Sequence, residues 1–158
     1  METQQSINEE LKEITSNVIN QLGFEAEISI SQQDLRGEIM NIVSIYSPQE
    51  LGILIGKNGQ NIKAIEHIVR LLAYKTSPSF GSVVVDINDY RKSRASFVVG
   101  QARAVADRVQ ATKKAEALSP MSSYERRLVH VELASYASLI TESIGEEPKR
   151  RVVVRPLL

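Results

Sequence analysis

Apolar residues in the first 90 positions recur with periods that predict alternating helices and strands. One stripe with spacings of four and three predicts an amphipathic helix that ends at Gly23: Ile7, Leu11, Ile14, Val18 and Leu22. Alternation with a period of two predicts strands over 26–30, 38–46 and 83–87. A very short helix and a helix over 59–74 are expected between the second and third strands. The predicted order is α-β-β-α-α-β, one compact α+β unit.

The remaining residues predict a second, small α+β unit that follows a long connecting helix. Ser122 and Glu125 have the spacing of a capping box at the start of a helix, as do Ser47 and Glu50 in the first unit. The predicted elements after the first unit are helices over 90–114 and 122–136 and strands over 115–118, 139–143 and 151–155. We place the domain boundary between 88 and 89, so that the domains are 1–88 and 89–158.

Composition narrows the function classes. The chain has 158 residues and no cysteine, which excludes disulfides, zinc–thiolate sites and cysteine nucleophiles. No apolar run approaches the ~20 residues that span a bilayer, and the N-terminus lacks the basic and apolar regions of a signal peptide. We therefore expect a soluble, cytoplasmic protein with no membrane span.

The formal net charge of +0 hides a strong asymmetry along the chain. Residues 1–50 contain 2 basic and 9 acidic residues, whereas residues 51–158 contain 17 basic and 10 acidic ones. This segregation predicts a polyanion-binding surface in the later two-thirds of the chain. Clustering of charges by chance is the alternative, and the placement of the residues has to decide.

The most informative motif is Gly56-Lys57-Asn58-Gly59, which lies between two predicted helices. Two glycines three apart allow a turn that no Cβ crowds, so a nucleic-acid backbone can approach while Lys57 offers a positive charge to phosphate. A plain turn is the alternative for an isolated motif. In this context the segment resembles a type II KH domain, a fold that binds single-stranded RNA. The resemblance implies that Gly56, Lys57, Asn58 and Gly59 clamp about four nucleotides. The flanking residues expected in the groove or the core are Ile53, Ile62 and Ile65.

A second motif places Arg126 and His130 four residues apart, on one face of the predicted helix. A solvated helix face is the alternative interpretation. The segment is similar to the Arg-x-x-x-His domain, a single-stranded nucleic-acid-binding domain named for this pair. The resemblance extends through 145–153 and implies that Arg126 and His130 contact phosphate, with Arg127 and Arg150 as supporting cations.

A KH unit followed by an Arg-x-x-x-His unit resembles the Jag (SpoIIIJ-associated, KhpB-type) family of bacterial RNA-binding proteins, over about residues 5–156. The resemblance implies a non-enzymatic RNA chaperone or post-transcriptional regulator linked to cell shape and cell wall homeostasis. It also implies a small KH-only protein partner, or a homodimer. Many members carry an extra N-terminal domain and linker, and we expect this chain to have neither.

Enzymatic sites are not indicated. His67 is expected on a solvated helix face, and the histidines have no carboxylates in metal-ligand spacing, so we predict no catalytic residue, no metal and no cofactor. Aromatic residues make up only 5% of the chain, so stacking cannot dominate binding, and Tyr124 and Tyr136 are assigned to the core.

Two other functions remain open at this stage. Single-stranded DNA is an alternative ligand, because both modules tolerate it and only the 2′-OH distinguishes RNA. The other alternative is a KH-mediated protein assembly module in which nucleic acid is incidental.

Overall fold

A computed structural model describes residues 4–35, 37–49 and 52–157 of the chain. The structure divides into two compact units, unit 1 up to Arg91 and unit 2 from Lys92. Both units combine helices with a small sheet, which confirms the predicted α+β fold class.

Unit 1 follows the predicted order of elements. Its helices and strands are α1 (Gln4–Gln21), β1 (Glu27–Leu35), β2 (Glu38–Tyr46), α2 (Gly52–Ile55), α3 (Gln60–Thr76) and β3 (Ser82–Ile87). A 3₁₀ turn over Lys57–Gly59 separates α2 from α3, and another over Pro78–Phe80 precedes β3.

The sheet of unit 1 has the strand order β1-β2-β3 among the described residues. β1 and β2 are antiparallel, with Glu27 opposite Tyr46, whereas β2 and β3 are parallel, with Met40 opposite Ser82. The parallel pair requires a crossover, which α2 and α3 supply. Alternate residues of β2 and β3 are buried in one core with the inward faces of α1 and α3: Val43, Ile45, Val83, Val85, Ile87, Leu11, Ile19, Ile62, Ile65 and Val69.

Unit 2 contains a second sheet, with the order β4-β6-β5 and antiparallel pairing throughout. The elements from the unit boundary onward are α4 (Tyr90–Thr112), within which the boundary falls, β4 (Glu116–Ala117), α5 (Ser123–Leu133), β5 (Leu139–Ile144) and β6 (Arg151–Pro156). Apolar residues from the two helices and from β6 form one core: Val98, Ala102, Val105, Ala106, Val109, Val129, Leu133, Val152 and Val154.

The predicted helix ends needed small corrections. α4 ends at Thr112 rather than Lys114, and α5 ends at Leu133 rather than Tyr136. The capping box at the start of α5 is present in full. For the capping box expected at Ser47, the Ser47 Oγ accepts from the Gln49 amide at 3.3 Å, and Glu50 lies outside the described residues. Within the described ranges, none of the helices has the length and apolarity needed to cross a membrane.

Candidate nucleic-acid interface

The loop between α2 and α3 has a backbone that favours glycine at both ends. Gly56 has φ +70° and Gly59 has φ +75°, in the region that a Cβ disfavours. Asn58 between them is also left-handed, with φ +54°, which asparagine tolerates better than most residues. The glycine spacing noted in the sequence therefore reflects a backbone conformation as well as open space.

Internal packing gives these glycines a second reason. A Cβ on Gly56 would lie 2.6 Å from Cγ of Asn61, whose Nδ2 donates to the Ile53 carbonyl at 2.6 Å. A Cβ on Gly59 would lie 2.8 Å from Cε1 of Tyr90. The loop is thus held against Asn61 on one side and against Tyr90 on the other.

The loop presents its two middle residues to solvent. Lys57 and Asn58 are exposed, whereas Gly59 is buried. The amide of Gly59 donates to the Gly56 carbonyl at 3.2 Å, and the amide of Gln60 donates to the Lys57 carbonyl. Two of the amides expected to bind an anion are therefore already used, so the positive charge at this loop comes mainly from Lys57.

The isoleucines around the loop divide between the two roles that were expected. Ile53 is exposed, so it is available to a groove. Ile62 and Ile65 belong to the core of unit 1.

Side chains of α3 and the start of α4 cover the outer edge of β3. The Glu66 carboxylate accepts from the Val85 amide at 3.0 Å and from Arg91 Nη2 at 2.7 Å. Arg70 Nη2 bonds the same carboxylate at 2.8 Å and the Val83 carbonyl at 2.9 Å. This cluster satisfies backbone groups that an edge strand otherwise leaves open to strand pairing. No signal in the sequence pattern predicted it, because its members lie on three different elements.

In unit 2, the structure places Arg126 inside the domain. Its side chain is only 8% exposed, and Nη1 donates to the Met121 carbonyl and contacts Oε1 of Glu147, each at 2.8 Å. The signal was available in the spacing, because Arg126 precedes Val129 by three residues and Leu133 by seven and so shares their buried face. This arginine therefore holds the start of α5 to the turn between β5 and β6.

His130 faces β5 rather than solvent. Its Nδ1 lies 2.8 Å from the Thr141 hydroxyl, and its Nε2 lies 2.9 Å from the Ser143 hydroxyl. Both hydroxyls can donate or accept, so either neutral tautomer fits this arrangement. The imidazole thereby connects α5 to β5.

The other two predicted cations, Arg127 and Arg150, are exposed. Arg127 follows the buried Arg126 on α5 and lies outside the buried face of the helix. Arg150 lies just before β6, and its carbonyl accepts from the Met121 amide at 3.2 Å. The motif pair thus organises the domain from within, while the neighbouring arginines carry the accessible positive charge.

The buried Glu125 was not singled out for a site, and it joins three parts of unit 2. Its Oε2 accepts from the Ser122 amide at 2.7 Å, and its Oε1 accepts from Arg94 Nε at 2.6 Å. Burial opposes ionisation of this carboxyl, but the hydrogen bonds from Arg94 and Ser122 outweigh it and lower its pKa below the ordinary value.

Acid is expected to weaken unit 2 through Glu125. Because its pKa is lowered in the folded state, its contribution is complete above the unfolded pKa and is lost as pH falls through the folded value. Glu125→Gln should lower the free energy of unfolding by about 1–2 kcal/mol at pH 7, and should flatten its decline below about pH 4.5. Urea unfolding at a series of pH values measures both effects.

Glu116→Gln is the matched control. The pKa of Glu116 is also lowered, by a hydrogen bond from Arg108, but this pair is exposed to solvent and screened. A decline with acid that is equally steep in the Glu125→Gln variant and in the unmodified chain would contradict the assignment.

Comparisons with known proteins agree with the geometry of unit 2. Residues 96–156 match the sequence model of the Arg-x-x-x-His domain family. The chain carries an Arg-x-x-x-His domain. The match contains both Arg126 and His130, so the domain expected from this motif is confirmed.

Relatives of the chain are bacterial proteins named RNA-binding protein KhpB. The Clostridium symbiosum protein is 31% identical over 150 residues, which are 95% of this chain and 66% of the relative. The Lactiplantibacillus plantarum protein is 35% identical over 137 residues, 87% of this chain and 41% of the relative. The Bacillus subtilis protein is 35% identical over 108 residues, 67% of this chain and 52% of the relative. The chain thus spans between about two-fifths and two-thirds of the length of these homologues.

Among the described residues, no group of three or more histidine, aspartate or glutamate side chains is arranged to hold a metal ion. The exposed groups that the two motifs contribute are an amine, an amide and two guanidinium groups. They suit contact with a polyanion.

Proposed function

We propose that this chain is a non-enzymatic, single-stranded RNA-binding protein with one binding site in each unit. The observation that carries the proposal is the exposed Lys57-Asn58 pair, held by two positive-φ glycines at the start of α3 in a unit of order α-β-β-α-α-β. That arrangement is the one in which a KH domain clamps an RNA backbone. The names of the homologues, each an RNA-binding protein, support the same ligand.

In unit 1, the proposed clamp consists of Gly56, Lys57, Asn58 and Gly59. The glycines shape the turn, and the exposed Lys57 supplies charge to a phosphate. Ile53, which is exposed beside the loop, offers an apolar surface to an unstacked base.

In unit 2, the proposed contacts to phosphate come from Arg127 and Arg150, whereas Arg126 and His130 position them from within. Residues 92–158 contain 12 basic and 7 acidic residues, a net charge of +5 that favours a polyanion. Binding by both units should therefore fall steeply as salt rises.

The broader role that we propose is that of an RNA chaperone or post-transcriptional regulator in the bacterial cytoplasm, linked to cell shape and cell wall homeostasis. This role follows from the resemblance to the Jag family.

Docking of a small KH-only protein, or of a second copy of the chain, is a second candidate. One observation favours it: Ile68, Leu71 and Leu72 form an exposed apolar stripe on the side of α3 away from the core. Light scattering of the purified chain over a range of concentrations tests for the homodimer.

The proposed function is tested by fluorescence-anisotropy titration of a labelled 12-nucleotide RNA, with DNA of the same sequence as competitor, at several salt concentrations. We expect RNA binding whose logarithmic affinity falls linearly with the logarithm of the salt concentration. Equal competition by DNA would favour single-stranded DNA as the ligand. No binding of either strand would contradict the proposal and favour the assembly module.

A further inference from the structure

Two aromatic side chains of unit 2 lie at the surface instead of in the core. Tyr124 on α5 is 64% exposed and Phe97 on α4 is 56% exposed, whereas Tyr136 packs against the core. The assignment of Tyr124 to the core is therefore wrong. Its position at the second residue of α5 turns it away from the buried face that Val129 and Leu133 define.

Exposure of one apolar side chain is common and carries no assignment by itself. The informative feature is the cation that links the two rings. The guanidinium carbon of Arg94 lies 5.5 Å from the centre of the Phe97 ring, within range of a cation–π contact. Nε of the same arginine bonds Glu125, the residue that follows Tyr124, at 2.6 Å.

This arrangement is held in place from both sides. Glu125 is buried and fixed by the capping box with Ser122, and it fixes Arg94 in turn. Phe97 follows Arg94 by three residues on α4, so the two side chains are neighbours on one helix. The rings are therefore presented by two rigid helices, with little conformational entropy left to lose on binding.

Exposed aromatic rings beside a guanidinium group suit unstacked nucleobases, which every aromatic face can stack on. We propose that Phe97 and Tyr124, together with Arg94, form a stacking site for the bases of a single-stranded nucleic acid. Arg127, exposed three residues after Tyr124, supplies charge for the phosphates on the same helix. This inference rests on the proposed function and names the base-contacting part of the site in unit 2.

The first test compares Phe97→Leu and Tyr124→Leu, each of which keeps an apolar side chain but removes the π face. Each substitution is expected to weaken binding of the 12-nucleotide RNA by at least about fivefold. The slope of affinity against salt should stay unchanged, because no phosphate contact is lost. Phe97→Tyr, which keeps a ring, should retain the affinity of the unmodified chain.

Val131→Ala is the matched control on α5. Val131 is exposed like Tyr124 but has no ring, so its truncation should leave RNA affinity unchanged. A loss equal to that of Tyr124→Leu would show that any exposed apolar surface serves, and would overturn the stacking assignment.

A direct readout uses the absence of tryptophan from the chain. The Phe97→Trp variant has a single tryptophan, whose fluorescence should be quenched when the RNA binds. An oligonucleotide of the same length with abasic positions should bind more weakly and leave the fluorescence unquenched.

The outcomes separate this inference from the proposed function. Unchanged RNA affinity in both leucine variants, with normal binding by the unmodified chain, overturns the stacking site alone. No RNA or DNA binding by the unmodified chain overturns both. A concentration-dependent dimer that is lost in the leucine variants would assign the rings to self-association, and would also overturn the inference.

Discussion

Replacement of Lys57 and Asn58 by aspartate is expected to weaken binding of the 12-nucleotide RNA roughly 10- to 100-fold near 0.1 M salt. The double variant removes the exposed cation of the loop and places two negative charges where the RNA backbone is proposed to lie. It should also reduce the slope of logarithmic affinity against logarithmic salt by about 0.7, the contribution of one phosphate contact on a single strand. Anisotropy titrations at several salt concentrations measure both quantities.

This change should leave unit 1 folded. Lys57 and Asn58 are exposed, and aspartate tolerates the left-handed backbone of position 58 nearly as well as asparagine. The matched control is Gln5→Asp with Lys12→Asp on α1, which alters the net charge by the same amount at exposed positions. Equal losses in the two double variants would mean that net charge governs binding, and the clamp assignment would fail.

Substitution of Arg126 by alanine is expected to lower the free energy of unfolding of unit 2 by about 2–4 kcal/mol. The buried guanidinium donates to the Met121 carbonyl and pairs with Glu147, so its removal leaves a cavity and a carbonyl without its donor. Glu147 is 59% exposed and regains water, which keeps the loss below that of a fully buried ion pair. Urea unfolding monitored by circular dichroism measures the change.

Arg127→Ala is the neighbouring control, with the opposite expected profile. Arg127 is exposed, so its loss should change stability by less than about 0.5 kcal/mol and should weaken RNA binding with a shallower salt slope. An Arg126→Ala variant that keeps full stability but loses RNA binding would show instead that Arg126 contacts the ligand directly.

The order of elements and the GxxG loop could be predicted because their signals are local. Strand β2 buries alternate residues, and α3 buries Ile62, Ile65 and Val69 on one side, so the hydrophobic period follows the secondary structure closely. The capping box of Ser122 and Glu125 was predicted for the same reason, since both partners lie within one helical turn. Ends of helices were less certain, as α5 shows, because fraying and turns compete there within a few residues.

The role of each residue in the second motif depended on longer-range contacts. Spacing alone placed Arg126 and His130 on a shared helix face and predicted a joint contact to phosphate. In the folded domain, Arg126 reaches Met121 and Glu147, and His130 reaches Thr141 and Ser143, which lie 11 and 13 residues away on β5. Whether either side chain also contacts RNA stays a prediction.

Local order along the chain was therefore sufficient for the α+β class, the positions of both motifs and the absence of disulfide and thiolate chemistry. These properties depend on residue type and on periods of two to four residues. Tertiary packing alone decided that Arg126 is buried, that Tyr124 and Phe97 are exposed, and that Glu125 links α4 to α5. The reason is physical: a period specifies which residues share a face of a helix, but only the neighbouring helices and strands determine which face they cover.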